Sequence, residues 1–259
     1  MKSRRLFMPV SLIGCFLFLS FNKSFSQPSP FAFQKYVSTQ GDTMNYRQLT
    51  PDYDTIRKYP LVIFLHGIGE RGSDNDAQLK WGVMNFASDQ NMKLHPAFVI
   101  APQCPTTMIW DHFAGWKNGQ VNLQPKPTRA MELLMELIKS IKHTLPIDTN
   151  RIYITGLSMG GFGTFDAIER YPDLFAAAVP VCGGGDITRA ASISKIPLWI
   201  FCGAEDGVVN PLLSMDMAVA LTKAGAHVGY TQYPEVGHYA WLAAYSDPIM
   251  MEWLFRQHK

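Results

Sequence analysis

Cysteine is scarce in this chain, at four residues in 259. No two are spaced Cys-x-x-Cys and no two histidines stand four apart. No metal-site pattern is therefore offered, and neither a metal nor an organic cofactor is expected. Charge of one sign is also missing. There are 23 basic and 21 acidic residues, net +2. Setting aside the four basic residues of an N-terminal leader (Lys2, Arg4, Arg5 and Lys23) turns that balance into −2. Such a balance marks neither nucleic acid nor an anionic membrane as a partner. Beyond the leader no run approaches the ~18 apolar residues that cross a bilayer, so no transmembrane segment is expected in the mature chain. Internal repeats, low-complexity tracts and linkers are lacking too. That leaves one large domain with a well-buried core.

The leader has three parts. "MKSRR" is a basic start, "LFMPVSLIGCFLFLSF" an apolar stretch, and "SFSQ" supplies small residues before a cut after Ser26. This pattern predicts a secretory signal peptide over 1–26 and a catalytic domain over 27–259, secreted or periplasmic. "LIGC" at 12–15 also resembles a bacterial lipoprotein box, which would place a lipid on Cys15. The apolar run continues past Cys15, which is unusual for that signal. Cys104, Cys182 and Cys202 remain, an odd count that allows one disulfide at most. Cys182 and Cys202 each close an expected strand. They are either a bridged pair or two buried thiols packed as small apolar groups.

What is present alternates. Residues 27–34, with Pro28 and Pro30, read as a loose start, and 36–51 as a hairpin about Gly41-Asp42. Apolar runs at 59–67, 96–103, 151–155, 176–182 and 197–203 read as buried strands, with a shorter one at 228–233. Helical spacing marks 128–146, with Thr128 as N-cap, then 159–170, 210–225 and about 247–257. This predicts an α/β fold: a mainly parallel sheet covered by helices on both faces. One stretch breaks the rhythm, 103–127, "QCPTTMIWDHFAGWKNGQVNLQPKP". Loops this long inside a domain are usually functional. Its Trp110, Phe113 and Trp116 are expected to wall or lid a substrate pocket, with Trp110 binding substrate.

The chemistry gathers at the carboxyl ends of strands, where open parallel sheets build sites. "GLSMG" (156–160) lies between a strand and a helix, the setting of a nucleophile elbow centred on Ser158. Asp206 follows a strand in "GAEDGVVNP", and His238 follows the last strand in "PEVGHYAW". The order Ser, Asp, His is that of an α/β-hydrolase. A serine hydroxyl needs a base, and the base needs an anion behind it. Asp206 suits that place, with Glu205 the alternative. An oxyanion hole needs two N–H donors. Met159 offers one, and Ile68 or Gly69 in "HGIGERG" the other. His66 is expected to brace that turn, with Glu70 and Arg71 as an ion pair or solvated. Each residue has a plainer reading: Ser158 in a simple turn, Asp206 as a cap, His238 as a structural histidine.

"LHGIGERG", "APQCP…W", "LPIDTNRIYITGLSMGGFGTFDAIERYPDLFAAAVPVCGGGD", "GAEDGVVN" and "GHYAW" together resemble secreted bacterial α/β-hydrolases over about residues 55–257. These are the polyhydroxybutyrate-depolymerase-like and feruloyl/acetylxylan esterases, with prolyl-oligopeptidase-like and phospholipase/carboxylesterase relatives. The resemblance implies a Ser158–Asp206–His238 triad, an oxyanion hole at Ile68 and Met159, and a Trp241 that shapes the pocket. Ile68 stands where such proteins carry alanine, which implies a crowded site and a small acyl pocket. The expected function is a secreted serine hydrolase of carboxylic esters. Its substrate would be a small-molecule or polysaccharide-linked ester, feruloyl or acetyl on plant polysaccharide. The alternatives are a prolyl-oligopeptidase-type serine peptidase acting on small peptides and a non-catalytic α/β-hydrolase-fold binding module.

Overall fold

Strand β3 (Tyr59–Leu65) is buried at every position, which is why it reads as an unbroken apolar run. Leu61, Ile63 and Leu65 point into one core layer, and Val62 and Phe64 into the other. A strand covered on both faces has no polar side to show. The computed structural model describes residues 29–54 and 56–259. The expected leader and its Cys15 box lie outside the described residues.

In chain order the strands are β1 (Phe31–Val37), β2 (Thr43–Leu49), β3, β4 (Phe98–Pro102), β5 (Phe113–Ala114), β6 (Asn122–Leu123), β7 (Ile147–Leu157), β8 (Ala177–Val181), β9 (Trp199–Gly203) and β10 (Gly229–Tyr233). The helices are α1 (Asp89–Leu94), α2 (Arg129–Thr144), α3 (Met159–Arg170), α4 (Ala190–Ile193), α5 (Leu212–Lys223), α6 (Trp241–Ser246) and α7 (Pro248–Arg256). The main sheet runs β1-β2-β4-β3-β7-β8-β9-β10. It is parallel from β4 to β10, and the β1–β2 hairpin adds antiparallel at one edge. Helices α2, α3, α4 and α5 contribute to the core layer on one face; α6 and α7 contribute to the other. This is the α/β-hydrolase arrangement. No helix of the described residues is long and apolar enough to cross a membrane.

Local chemistry explains the helix limits. Thr128 accepts from the Met131 N–H and caps α2, whose buried Met131, Leu134, Ile138 and Ile141 recur at helical spacing. Gly225, at φ 86°, lies just beyond α5. The N-terminus departs from expectation. Residues 31–34, expected within a loose start, belong to strand β1, held by its ladder with β2 and by a fully buried Phe31, while the expected hairpin about Gly41-Asp42 is the β1–β2 pair. As an edge strand with most side chains exposed, β1 carries no buried-face alternation.

Candidate active site

Ser158 links the end of β7 to the start of α3 at φ 55°, ψ −118°. Such a conformation costs a β-carbon-bearing residue roughly 1–3 kcal/mol and persists only when its surroundings enforce it. Here the Ser158 N–H donates to the Val181 carbonyl (2.9 Å), and the Ser158 carbonyl accepts from Gly161 (2.8 Å) and Phe162 (3.1 Å). A Cβ on Gly156 would strike the Gly160 carbonyl, and one on Gly160 the Leu65 carbonyl. The elbow therefore requires glycine at both flanks.

The hydroxyl so presented meets an imidazole. His238 Nε2 lies 2.9 Å from Ser158 Oγ, and His238 Nδ1 lies 2.7 Å from Asp206 Oδ2. Two loops are zipped to bring acid and base together: Ala204 N–H donates to Tyr233, and Glu205 N–H to Val236, both at 2.9 Å. Burial works to raise the Asp206 pKa, but hydrogen bonds from His238, Val209 and Val208 outweigh it and hold the carboxyl below its ordinary value. An ionised Asp206 accepts the Nδ1 proton and leaves the Nε2 lone pair facing the serine. Glu205, the alternative acid, is exposed, with its side chain out in solvent. Cys182 Sγ lies behind this pair, donating to the His238 carbonyl at 3.4 Å. Ligand atoms of Cys182, Asp206 and His238 fall within 4.8 Å of one another.

The turn after β3 faces this relay. Ile68 opens a 3-10 turn (Ile68–Glu70) and Met159 opens α3, so both N–H groups are first-turn donors without an intrahelical acceptor. A Cβ on Gly67 would lie 3.6 Å from Ser158 Cβ, which fixes how closely the turn approaches. His66 braces the turn from beneath. Its Nε2 accepts from the Cys104 N–H (2.9 Å), so Nδ1 carries the proton donated to the Gly67 carbonyl (2.6 Å). Burial pushes its pKa down to about 4, keeping the ring neutral. Glu70 and Arg71 do not pair. Buried Glu70 accepts from the Trp81 indole N–H (3.1 Å), while Arg71 donates to the Ile68 and Met108 carbonyls.

A strained serine on such an elbow, with the Ser–Asp–His order on an α/β sheet, invites comparison with known proteins. The family model described as phospholipase/carboxylesterase matches residues 55–247. The chain belongs to the phospholipase/carboxylesterase family. It is similar to poly(3-hydroxyalkanoate) depolymerase C of Paucimonas lemoignei, 28% identical over 126 residues, 48% of this chain and 28% of that protein. It is also similar to the bifunctional acetylxylan esterase/xylanase XynS20E of Neocallimastix patriciarum, 27% identical over 153 residues, 58% of this chain and 20% of that one. The matches thus span well under a third of either relative's length. Among solved structures, a thermostable esterase superposes with a TM-score of 0.82 at 37% identity, covering 89% of this chain and 64% of that chain. A ferulic acid esterase gives 0.65 at 17% identity over 86% of this chain and 98% of its own, which is a likeness of fold.

This family member departs from expectation in its aromatics. Trp110 does not line the pocket. It is fully buried, its indole N–H bonded to the His66 carbonyl (3.1 Å) and its ring against the His66 ring. It packs under the turn after β3 because Gly163 of α3 leaves room for it. From the same loop, Phe113 and Trp116 approach Phe162 of α3, in a cluster that includes Val209 beside Asp206. Trp241 is buried too, standing edge-on to His238 at 4.9 Å. Ile68 keeps 55% of its surface exposed, so the side chain expected to crowd a small acyl pocket reaches out to solvent. Cys182 and Cys202 are separate buried thiols, not a disulfide. Trp81, bonded to Glu70 across eleven residues, carried no motif that could have announced it.

Proposed function

We propose that the protein is a serine hydrolase of carboxylic esters working through an acyl-enzyme on Ser158. One observation carries this: an unbroken relay from Ser158 Oγ through His238 to Asp206, with both links under 3 Å. His238 Nε2 takes the hydroxyl proton as Oγ bonds to the ester carbonyl carbon. The N–H groups of Ile68 and Met159 receive the oxyanion. The imidazolium gives its proton to the departing alcohol oxygen as that C–O bond breaks. Water then repeats the sequence and frees Ser158. His66 and Trp110 act as positioning residues beneath the oxyanion turn, and Trp241 behind the base.

The acyl and alcohol groups belong to the same proposal. The substrate is a feruloyl or acetyl ester on plant polysaccharide, the acetyl form being supported by the acetylxylan esterase relative. Export is supported by the leader pattern over 1–26, with 27–259 as the catalytic unit. The test is hydrolysis of p-nitrophenyl acetate, methyl ferulate, acetylated xylan and a proline-site peptide anilide by wild type and Ser158→Ala. The expected result is ester cleavage lost by at least about 10⁴-fold in the variant. Cleavage of the anilide alone would replace this reading with a peptidase.

A further inference from the structure

Arginine in this protein is almost always answered by an acid. Arg47, Arg57, Arg129, Arg151, Arg170 and Arg256 each meet a carboxylate at 3.9 Å or less. Among the described residues Arg71 and Arg189 have no such partner, and Arg189 is still near enough to Asp186 to help lower its pKa. Arg71 is placed differently. Its Nε donates to the Ile68 carbonyl (3.2 Å) and its Nη1 to the Met108 carbonyl (3.1 Å), both neutral groups. The acids close to it in the chain or beside Met108 are engaged elsewhere. Glu70 takes the Trp81 indole N–H, Asp74 Oδ1 takes the Asp76 and Ala77 N–H groups and Gln103 Nε2, and Asp111 is buried. A guanidinium has five N–H donors, so three stay open on Arg71, one on Nη1 and two on Nη2.

The position of this charge gives it a role. Ile68, whose carbonyl Arg71 holds, is the residue whose N–H is offered to the reacting oxygen. The guanidinium is thus fixed within one residue's span of that N–H. Arg71 is half-buried. A cation so placed, held by carbonyls alone, has given up water without gaining a counter-charge. Its attraction for the oxyanion would speed every ester alike. The open donors do more, because two parallel N–H groups match the two oxygens of a carboxylate and bind it bidentately. A neutral ester leaves those donors to water.

We propose that the open fork of Arg71 binds a carboxylate carried by the substrate, so that the site selects anionic esters over neutral ones. The inference rests on the ester-hydrolase reading. Its test uses two pairs of esters, each a carboxylate beside its own methyl ester. In one pair the anion is on the alcohol half (para-acetoxybenzoate), in the other on the acyl half (p-nitrophenyl hemisuccinate). The quantity read is the ratio of kcat/KM, anionic over neutral, in wild type, Arg71→Met and Arg71→Lys. Any damage to the turn slows both members of a pair and cancels in the ratio. Arg71→Met should lower the ratio about tenfold in one pair, and that pair names the half of the ester that carries the anion. Arg71→Lys keeps the charge without the fork and should fall between the other two. An unchanged ratio in both pairs for Arg71→Met overturns the proposal and, with the neutral esters still cleaved, leaves the esterase standing. A ratio in Arg71→Lys equal to that of wild type overturns the forked contact. Cleavage of none of the four esters removes both readings.

Discussion

Asp206 is the residue whose role is easiest to isolate, because its two oxygens have separate tasks. Oδ1 accepts from the Val208 and Val209 N–H groups and fixes its own loop, while Oδ2 faces His238. Asp206→Asn keeps the size and most of the loop contacts but offers the imidazole an amide. The ring then favours the wrong tautomer, with Nε2 protonated toward Ser158. We predict a fall in kcat of about 10⁴-fold with KM little changed. Steady-state kinetics beside a thermal melt checks this, since the melt shows whether the variant is folded. At this scale the sequence was most readable. The elbow is a local motif, and the chain order of Ser158, Asp206 and His238 places each at a strand end. What could not be read was which tryptophan is buried. Trp110 directly follows an apolar residue and Trp81 stands one further on, each before a polar residue or glycine (Ile109-Trp110-Asp111, Lys80-Trp81-Gly82), and only tertiary packing sends Trp110 beneath His66 and leaves Trp81 half-open.

Among the elements, the segment 103–127 changes character most between sequence and structure. Aromatics among glycine and proline suggest a pocket wall or lid, and the segment is fastened. Its ribbon of β5 and β6 is clamped onto α3: Asp166 accepts from the His112 N–H (2.9 Å) and from Arg170 Nε (2.7 Å), and Arg170 Nη2 donates to the Gln124 carbonyl (2.8 Å). Asp186 accepts from the Leu123 N–H at 3.0 Å. Asp166→Ala takes the carboxylate from the nearly buried Arg170, which keeps the Gln124 and Pro125 carbonyls as partners, and removes the acceptor of the His112 N–H; the loss is on the order of 2–3 kcal/mol. We predict a lower melting temperature and faster hydrogen exchange over 112–125, with β3 and β7 still protected. Uniform acceleration across the sheet would contradict a local clamp. The regular strands and long helices were legible because periodic burial writes itself into the sequence. Two-residue strands and the six-residue α6 are too short for any period. Edge strand β1 has most of its side chains in solvent, so its hairpin turn at Gly41-Asp42 was legible but its reach back to Phe31 left no pattern.

For the whole molecule, acid is the condition that reaches the site through stability. His66 has an ordinary pKa of 6.5 and a folded value of about 4, chiefly because burial disfavours the imidazolium. The unfolded chain therefore binds the extra proton first. His66's contribution to stability is complete above 6.5 and is lost as pH falls toward 4, on the order of 3 kcal/mol in all. Urea midpoints at pH 7.5, 5.5 and 4.5 should fall in that order. His66→Gln, which cannot titrate, should start lower and follow a flatter curve across the same window. Equal slopes would mean that another group governs the acid limb.

The central claim, that the fold turns Ser158 into an activated nucleophile, is tested most directly by covalent capture. The mature chain is treated with a fluorophosphonate and the adduct located by intact mass and peptide mapping. One adduct per chain is expected, on Ser158, absent in Ser158→Ala and strongly slowed in His238→Ala. No adduct, an adduct on another residue, or equal labelling without the histidine would contradict it.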